Sequence, residues 1–403
     1  MADNLIAQFK DRPKVGLVGF FGWGNYGDEL FLDGWRRNLS EHFDARVVHD
    51  ILKAPYFTGN PYIEAEKYDA FVIGGGDLVI PNKVSQLYWH KAWLKKKVYI
   101  AGIGVPTWIK KEDPAVMRHM RNFFRHPNVQ YIGVRDVESA EWIREKLQPR
   151  VEVRVAPDLV YGLPMPPARE YPEDKVLGVA IRQRRVTAED DYAPLAKLVA
   201  EARRQGYAVK ALVLAGLRTG EADARAVERL PFEVDEVIRS EDMSELSAAL
   251  GGLDVLASMK FHGSLVASMY GVPAIVLSPT TKSKNLFKTL GRTELLSDLH
   301  DPNMAGKLEH AKTRISTDVI ERQKTGAREE MAHLVHQMRL QLAPASVFRP
   351  EGRVDWGAVR RDGRDFARVT AGSARLRAED TLRRQVLPKA RGLAASLKER
   401  LGR

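Results

Sequence analysis

Ten short strand-like runs, most of them largely apolar, each closed by a glycine or a polar turn and most followed by a stretch of helical spacing, constrain this chain more than any other feature. Six lie in the first part, at 14–19, 46–49, 70–73, 98–101, 131–134 and 151–155. Four more lie at 176–181, 208–214, 253–257 and 274–277. Strands that are apolar throughout and alternate with helices belong to parallel sheets covered on both faces. Between the two sets, residues 162–172 hold four prolines and interrupt the pattern, as a linker does. The expectation is an α/β protein of two Rossmann-like domains facing across a cleft. Residues 1–163 form the first domain, 164–173 the linker and 174–344 the second domain, which a long helix at 318–342 closes. Residues 345–403 form a separate basic, helical extension.

The charge is uneven. The net charge is +11, and residues 345–403 carry +8 of it, from 15 Lys and Arg against 7 Asp and Glu. The body is close to neutral, so no nucleic-acid partner is expected. In the extension, Leu382, Val386, Ala390, Leu393, Leu397 and Leu401 form one apolar stripe, interrupted by Pro388. A helix packed on the body is the first reading, and peripheral contact with an anionic membrane the second. Zero cysteines exclude disulfides and thiolate chemistry. Neither a membrane-spanning run nor a signal-peptide pattern is visible, so a cytoplasmic protein is expected, with membrane-peripheral contact tied to the extension.

Chemistry concentrates at the ends of the apolar runs, where open parallel sheets bind ligands. In residues 253–285, a strand, a helix and a second strand lead into a lysine-bearing loop, and Gly271 stands where a helix cap wants it. Lys260 and His262 fall where the first strand gives way to the helix. A cation, an imidazole and helix N–H groups within five residues make an anion site with a proton donor built in. Taken alone, the pair also fits a solvated loop.

Near the N-terminus, residues 22–27 spell G-x-G-x-x-G between strand and helix, and Asp50 stands where a ribose ligand is expected. Asp28 and Glu29 follow directly and argue against a dinucleotide. Two carboxylates in the first turn satisfy the helix N–H groups themselves and repel a pyrophosphate. At a cleft, such a carboxylate can take a proton from a sugar hydroxyl. No histidine cluster with metal-ligand spacing is present, and no metal or cofactor is expected.

In order and spacing, the segments GNYGDE, FVIGGGDL, GIGVP, VRDVES, VAPDLV and KFHGSLVASMYGVPAI resemble the polysaccharide pyruvyl transferase family over residues 14–291. The resemblance implies a GT-B-like fold. It also implies transfer of pyruvate from phosphoenolpyruvate onto a sugar, as a ketal, in building cell-surface polysaccharides or glycolipids. On that reading His262 is the general acid, with Asp28 as its catalytic partner. Lys260, Arg182 and Lys282 or Lys284 hold the donor. Gly24, Asn25, Glu29, Gly75, Gly76 and Asp77 face a sugar or glycan acceptor, which a lipid can carry. Where the family usually has arginine this chain has Lys260, a point charge in place of a two-pronged donor. Arg182, beside Arg184 and Arg185, also fits an ordinary basic turn. Two other readings share the fold: a glycosyltransferase using Lys260 and Lys282 on a nucleotide-sugar, and a non-catalytic scaffold in polysaccharide assembly.

Overall fold

The computed structural model describes residues 12–49, 60–183 and 192–342. Asp50, Arg184, Arg185 and the basic extension at 345–403 lie outside the described residues, and so do the readings attached to them.

The chain builds two parallel sheets. The first runs β1 (Lys14–Val18), α1 (Tyr26–Leu39), β2 (Asp44–Val47), β3 (Ala70–Gly76), β4 (Lys97–Ile103), α2 (Pro114–Phe124), β5 (Val129–Val134), α3 (Val137–Lys146) and β6 (Val153–Val155). Its strand order is β2-β1-β3-β4-β5-β6. The second runs β7 (Val176–Ala180), α4 (Ala193–Arg204), β8 (Ala208–Leu212), α5 (Leu217–Val227), β9 (Glu236–Ile238), α6 (Met243–Gly251), β10 (Val255–Ser258), α7 (Phe261–Met269), β11 (Ala274–Val276) and α8 (Thr281–Thr289). Its order is β11-β10-β7-β8-β9. Central strands are buried on both faces: Ala70, Phe71, Val72 and Ile73 of β3, and Val255, Leu256 and Ala257 of β10, are each at most 1% exposed. Two-sided burial is what their unbroken apolar sequence demands.

Three elements differ from the sequence reading. The edge strand β9, three residues with one of them charged, carries too little strand signal to stand out in the sequence. The lysine-bearing loop after β11 is the helix α8, which buries Leu286 and Phe287. The long helix α9 (Thr317–Gln341) leaves the second sheet and packs across the first. Its buried Glu330 accepts hydrogen bonds from Tyr131 on β5 and from Arg154 on β6, the latter at 3.0 Å. Near its end the Gln341 side chain accepts from Tyr99 of β4 at 2.8 Å.

Residues 163–175 connect the sheets without regular structure. The two halves meet where their strands end. Gly216 N–H donates to the Gly24 carbonyl at 2.7 Å, and the Tyr26 hydroxyl pairs with Ser247 at 2.7 Å. The N-termini of α1 and α7 are thereby brought to one cleft.

Candidate active site

The turn into α7 is pinned by Ser258. Its hydroxyl accepts from the Lys260 N–H at 2.9 Å and donates to the Lys260 carbonyl at 3.0 Å. Lys260 occupies the helix cap in extended backbone, and Phe261 and His262 open the first turn. The Lys260 ammonium donates to Asp223 of α5, a carboxylate 3% exposed that also accepts from Gln183 N–H at 2.8 Å. The His262 ring lies between the two halves. Its Nε2 is 3.7 Å from Asp158 Oδ2, too far for a hydrogen bond, and is buried with no partner. Phe31 and Phe261 stand edge-on to it, at centroid distances of 5.7 and 5.0 Å.

From the first half, the N-terminus of α1 meets this imidazole. Glu29 folds back on the glycine loop, accepting from Gly22 N–H at 2.7 Å and Gly24 N–H at 3.2 Å. The amides a pyrophosphate would need are thus already taken by a carboxylate. Asn25 caps the helix and its amide donates to Asp28. Asp28 is 6% exposed. Burial pushes its carboxyl up to about 6, against the nearby charges of His262 and Lys282 and the Asn25 hydrogen bond, which favour ionisation.

Beside Asp28 runs a line of alternating charge. Lys282 lies 3.1 Å from Asp77, whose other oxygen accepts from Arg135, and Arg135 reaches Asp158 at 3.3 Å. Burial would raise the Asp77 carboxyl, but Arg135 and Lys282 hold it down at about 2. Arg135 and Lys282 both stand over the Phe261 ring, at 5.0 and 5.2 Å from its centroid. These groups surround a cleft of about 310 Å³, onto which Asn25, Asp77, Arg182, Lys260, His262 and Lys282 open, with Trp108 at its rim. Phe261 and Lys282 also wall a neighbouring groove of about 600 Å³. Among the described residues no group of His, Asp or Glu is arranged to hold a metal ion.

A sequence profile of the family described as polysaccharide pyruvyl transferase matches residues 25–281. The chain belongs to the polysaccharide pyruvyl transferase family. The match opens on Asn25 and ends one residue before Lys282, so it spans nearly every residue of the cleft. This protein is therefore an enzyme, a transferase of polysaccharide biosynthesis. No curated protein matches it in sequence. In structure it is similar to the UDP-GlcNAc 2-epimerase of Neisseria meningitidis, solved with UDP-GlcNAc, at TM-score 0.51 and 11% identity over 82% of this chain and 100% of that one. It is similar also to the UDP-GlcNAc 2-epimerase of Methanocaldococcus jannaschii, at TM-score 0.53 and 10% identity over 80% and 99%. The S. aureus MnaA–UDP structure matches at TM-score 0.53 and 10% identity, over 84% and 100%. At such identity the likeness is one of fold, and it gives the pyruvyl transferase the GT-B-like architecture of two facing parallel sheets.

Of the residues singled out in its sequence, the pyruvyl transferase gathers Asn25, Asp77, Arg182, Lys260, His262 and Lys282 on one cleft, with the buried Asp28 close enough to His262 and Lys282 to feel their charges. Lys284 is not among them; it is exposed on α8 and lines none of the cavities described here. Three glycines are accounted for by packing or by backbone conformation. Gly24 has φ +74°, and a Cβ there would meet the Gly216 carbonyl oxygen at 2.2 Å. Gly75, at φ +88°, lies against Phe31, and Gly76, at φ +97°, holds a left-handed backbone that residues with a Cβ rarely adopt. Glu29 is engaged by the loop amides. Sequence reasoning passed over Arg135, Asp158, Asp223 and Phe261. Arg135 and Asp158 each follow the end of a strand, the same signal that picked out Asp77, but only the fold shows that they pair.

Proposed function

We propose that this transferase takes phosphoenolpyruvate as donor and links its pyruvyl carbon to two hydroxyls of one sugar, forming a ketal and releasing phosphate. The observation that carries the reading is the meeting of Asp28 and His262 at one cleft that also receives Arg182, Lys260 and Lys282. The donor bears a phosphate and a carboxylate, and three cations from two elements and a strand end suit those two anions. Lys282 also sits where it can leave Asp77, since Arg135 stays to neutralise that carboxylate.

In this mechanism His262 gives a proton to the donor methylene, which becomes a methyl group and leaves the central carbon electron-poor. One sugar hydroxyl adds to that carbon and passes its proton to Asp28. The second hydroxyl then adds as the carbon–oxygen bond to phosphate breaks, and its proton leaves with the phosphate. A base titrating near 6 suits that task, being ionised yet still basic at neutral pH. Asn25 and Asp77 face the acceptor.

The test is phosphate release from phosphoenolpyruvate across a panel of sugars, with the ketal methyl group read by NMR. Release that depends on an acceptor is expected. Turnover of a nucleotide-sugar, with none of phosphoenolpyruvate on any acceptor, would put a glycosyltransferase in its place.

A further inference from the structure

Six tryptophans fall among the described residues, and Trp108 alone is exposed, at 60%. Tryptophan is highly buried on average, so a bare indole at the rim of a catalytic cleft calls for a ligand. The residue does not hang on a loose loop. It follows β4 in a tight turn, where Thr107 N–H donates to the Val105 carbonyl at 2.8 Å and Ile109 N–H to the Pro106 carbonyl at 2.9 Å. The preceding side chain ties the turn across the cleft, with Thr107 Oγ1 donating to Thr281 Oγ1 at 3.1 Å. The backbone that carries the indole is therefore fixed before any ligand arrives, which lowers the cost of binding. Lining the same cleft are the hydroxyl-bearing Ser278, Thr280 and Ser283 of the second half.

We infer that Trp108 is the platform of an acceptor subsite, on which the C–H face of a pyranose ring stacks while its hydroxyl edge turns towards Asp28 and the Ser278–Thr280–Ser283 side. A pyranose presents C–H bonds on its faces and hydroxyls around its edge. A cleft that offers both an aromatic plane and side-chain hydroxyls matches that division. Of the cations, Lys260 and Lys282 are less exposed than the indole, at 14% and 27%, and are left to the anionic donor. This inference rests on the pyruvyl-transfer reading for the identity of the acceptor, but not for the stacking itself.

The experiment therefore has two arms. In the first, sugars alone are titrated into the full chain and the Trp108 contribution to fluorescence is taken as wild type minus Trp108→Phe. A saturable change with some pyranoses and none with open-chain polyols of similar size is expected. In the second, Trp108→Ala should raise the acceptor KM about tenfold while the phosphoenolpyruvate KM and the melting temperature stay unchanged, and Trp108→Phe should recover most of the loss. If sugars perturb Trp108 but phosphoenolpyruvate is never turned over, the subsite stands and the donor reading falls. If turnover proceeds and Trp108→Ala leaves the acceptor KM unchanged, the subsite falls and the donor reading stands. Loss of binding to anionic lipid vesicles in Trp108→Ala, with the acceptor KM unchanged, would likewise overturn the subsite.

Discussion

Gly27 and His262 occupy space that only a glycine can share: a Cβ built on Gly27 would fall 1.7 Å from the imidazole Nδ1. Gly27 has ordinary helical backbone in the first turn of α1, where alanine is preferred over glycine by about 1 kcal/mol. Local propensity therefore argues for alanine and the site argues against it. Gly27→Ala should keep its secondary structure but push the ring out of position, lowering kcat by about 100-fold, the scale of a lost proton-transfer group. Adding Gly27→Ala to His262→Ala should cost nothing more, because the same group cannot be lost twice. A Gly27→Ala enzyme with wild-type kcat would show that the imidazole does not act from this position.

Asp28 gives a pH prediction whose sign is unusual for an acid. Its folded pKa, about 6, lies above the ordinary carboxylate value of 3.8. The folded protein thus holds this proton more tightly than the unfolded chain. Ionising Asp28 weakens the fold as pH rises towards 6, by about 3 kcal/mol once complete, and the penalty is absent below about pH 4. Asp28→Asn, which can still accept from Asn25, should melt higher than wild type above about pH 7 and no higher near pH 4. Its kcat should nonetheless fall by about 100-fold or more, and the acid limb of kcat/KM near 6 should disappear. A variant less stable than wild type at high pH would contradict the burial argument.

Those two residues show how much was legible beforehand. The alternation of apolar runs and helical spacing was enough for two parallel sheets, and the positions just after those runs led to Asp28, Asp77, Lys260 and His262. What escaped was tertiary. The α9 helix was readable as a helix, but its placement depends on Glu330 meeting Tyr131 and Arg154, contacts across almost two hundred residues. The helix α8 carries only Leu286 and Phe287 as buried apolar residues among lysines and threonines, too few to mark a face. Gly24, Gly75 and Gly76 look the same whether a ligand, a neighbouring group or a left-handed backbone calls for glycine. Here Gly216 and Phe31 lie against the first two, and Asp28 beside the third. Arg135 and Asp158 stood in plain view inside recognised segments, but their pairing is a property of β5 and β6 lying side by side.

Lys260 presents a conflict between binding and stability. Its ammonium neutralises Asp223, which is 3% exposed. Lys260→Ala should therefore destabilise the enzyme by about 3 kcal/mol through the stranded carboxylate, besides raising the donor KM. Lys260→Arg should keep both properties in large part. The double variant Lys260→Met/Asp223→Asn should recover the melting temperature but not the donor affinity. Equal recovery of both would mean that Lys260 holds the fold and never touches the donor.

Lys282 and Arg135 share one carboxylate, Asp77, and removing each should have opposite consequences. Lys282 is partly exposed at the cleft, while the Arg135 side chain is 2% exposed and bridges Asp77 and Asp158. Without Lys282, Asp77 keeps its guanidinium, so Lys282→Ala should melt close to wild type. Its phosphoenolpyruvate KM should rise by about tenfold, the size expected for one charge-assisted contact. Without Arg135, two buried carboxylates lose their common partner, and Arg135→Ala should cost about 3–5 kcal/mol of stability. Arg135→Lys should repair this only partly, because one ammonium cannot reach both carboxylates with the spread of a guanidinium. Lys284→Ala serves as the control, since that side chain is exposed and away from the cleft. Thermal melting and donor KM measured on the four variants decide the matter. A large donor effect from Lys284→Ala, with none from Lys282→Ala, would move the anion site off this cleft altogether.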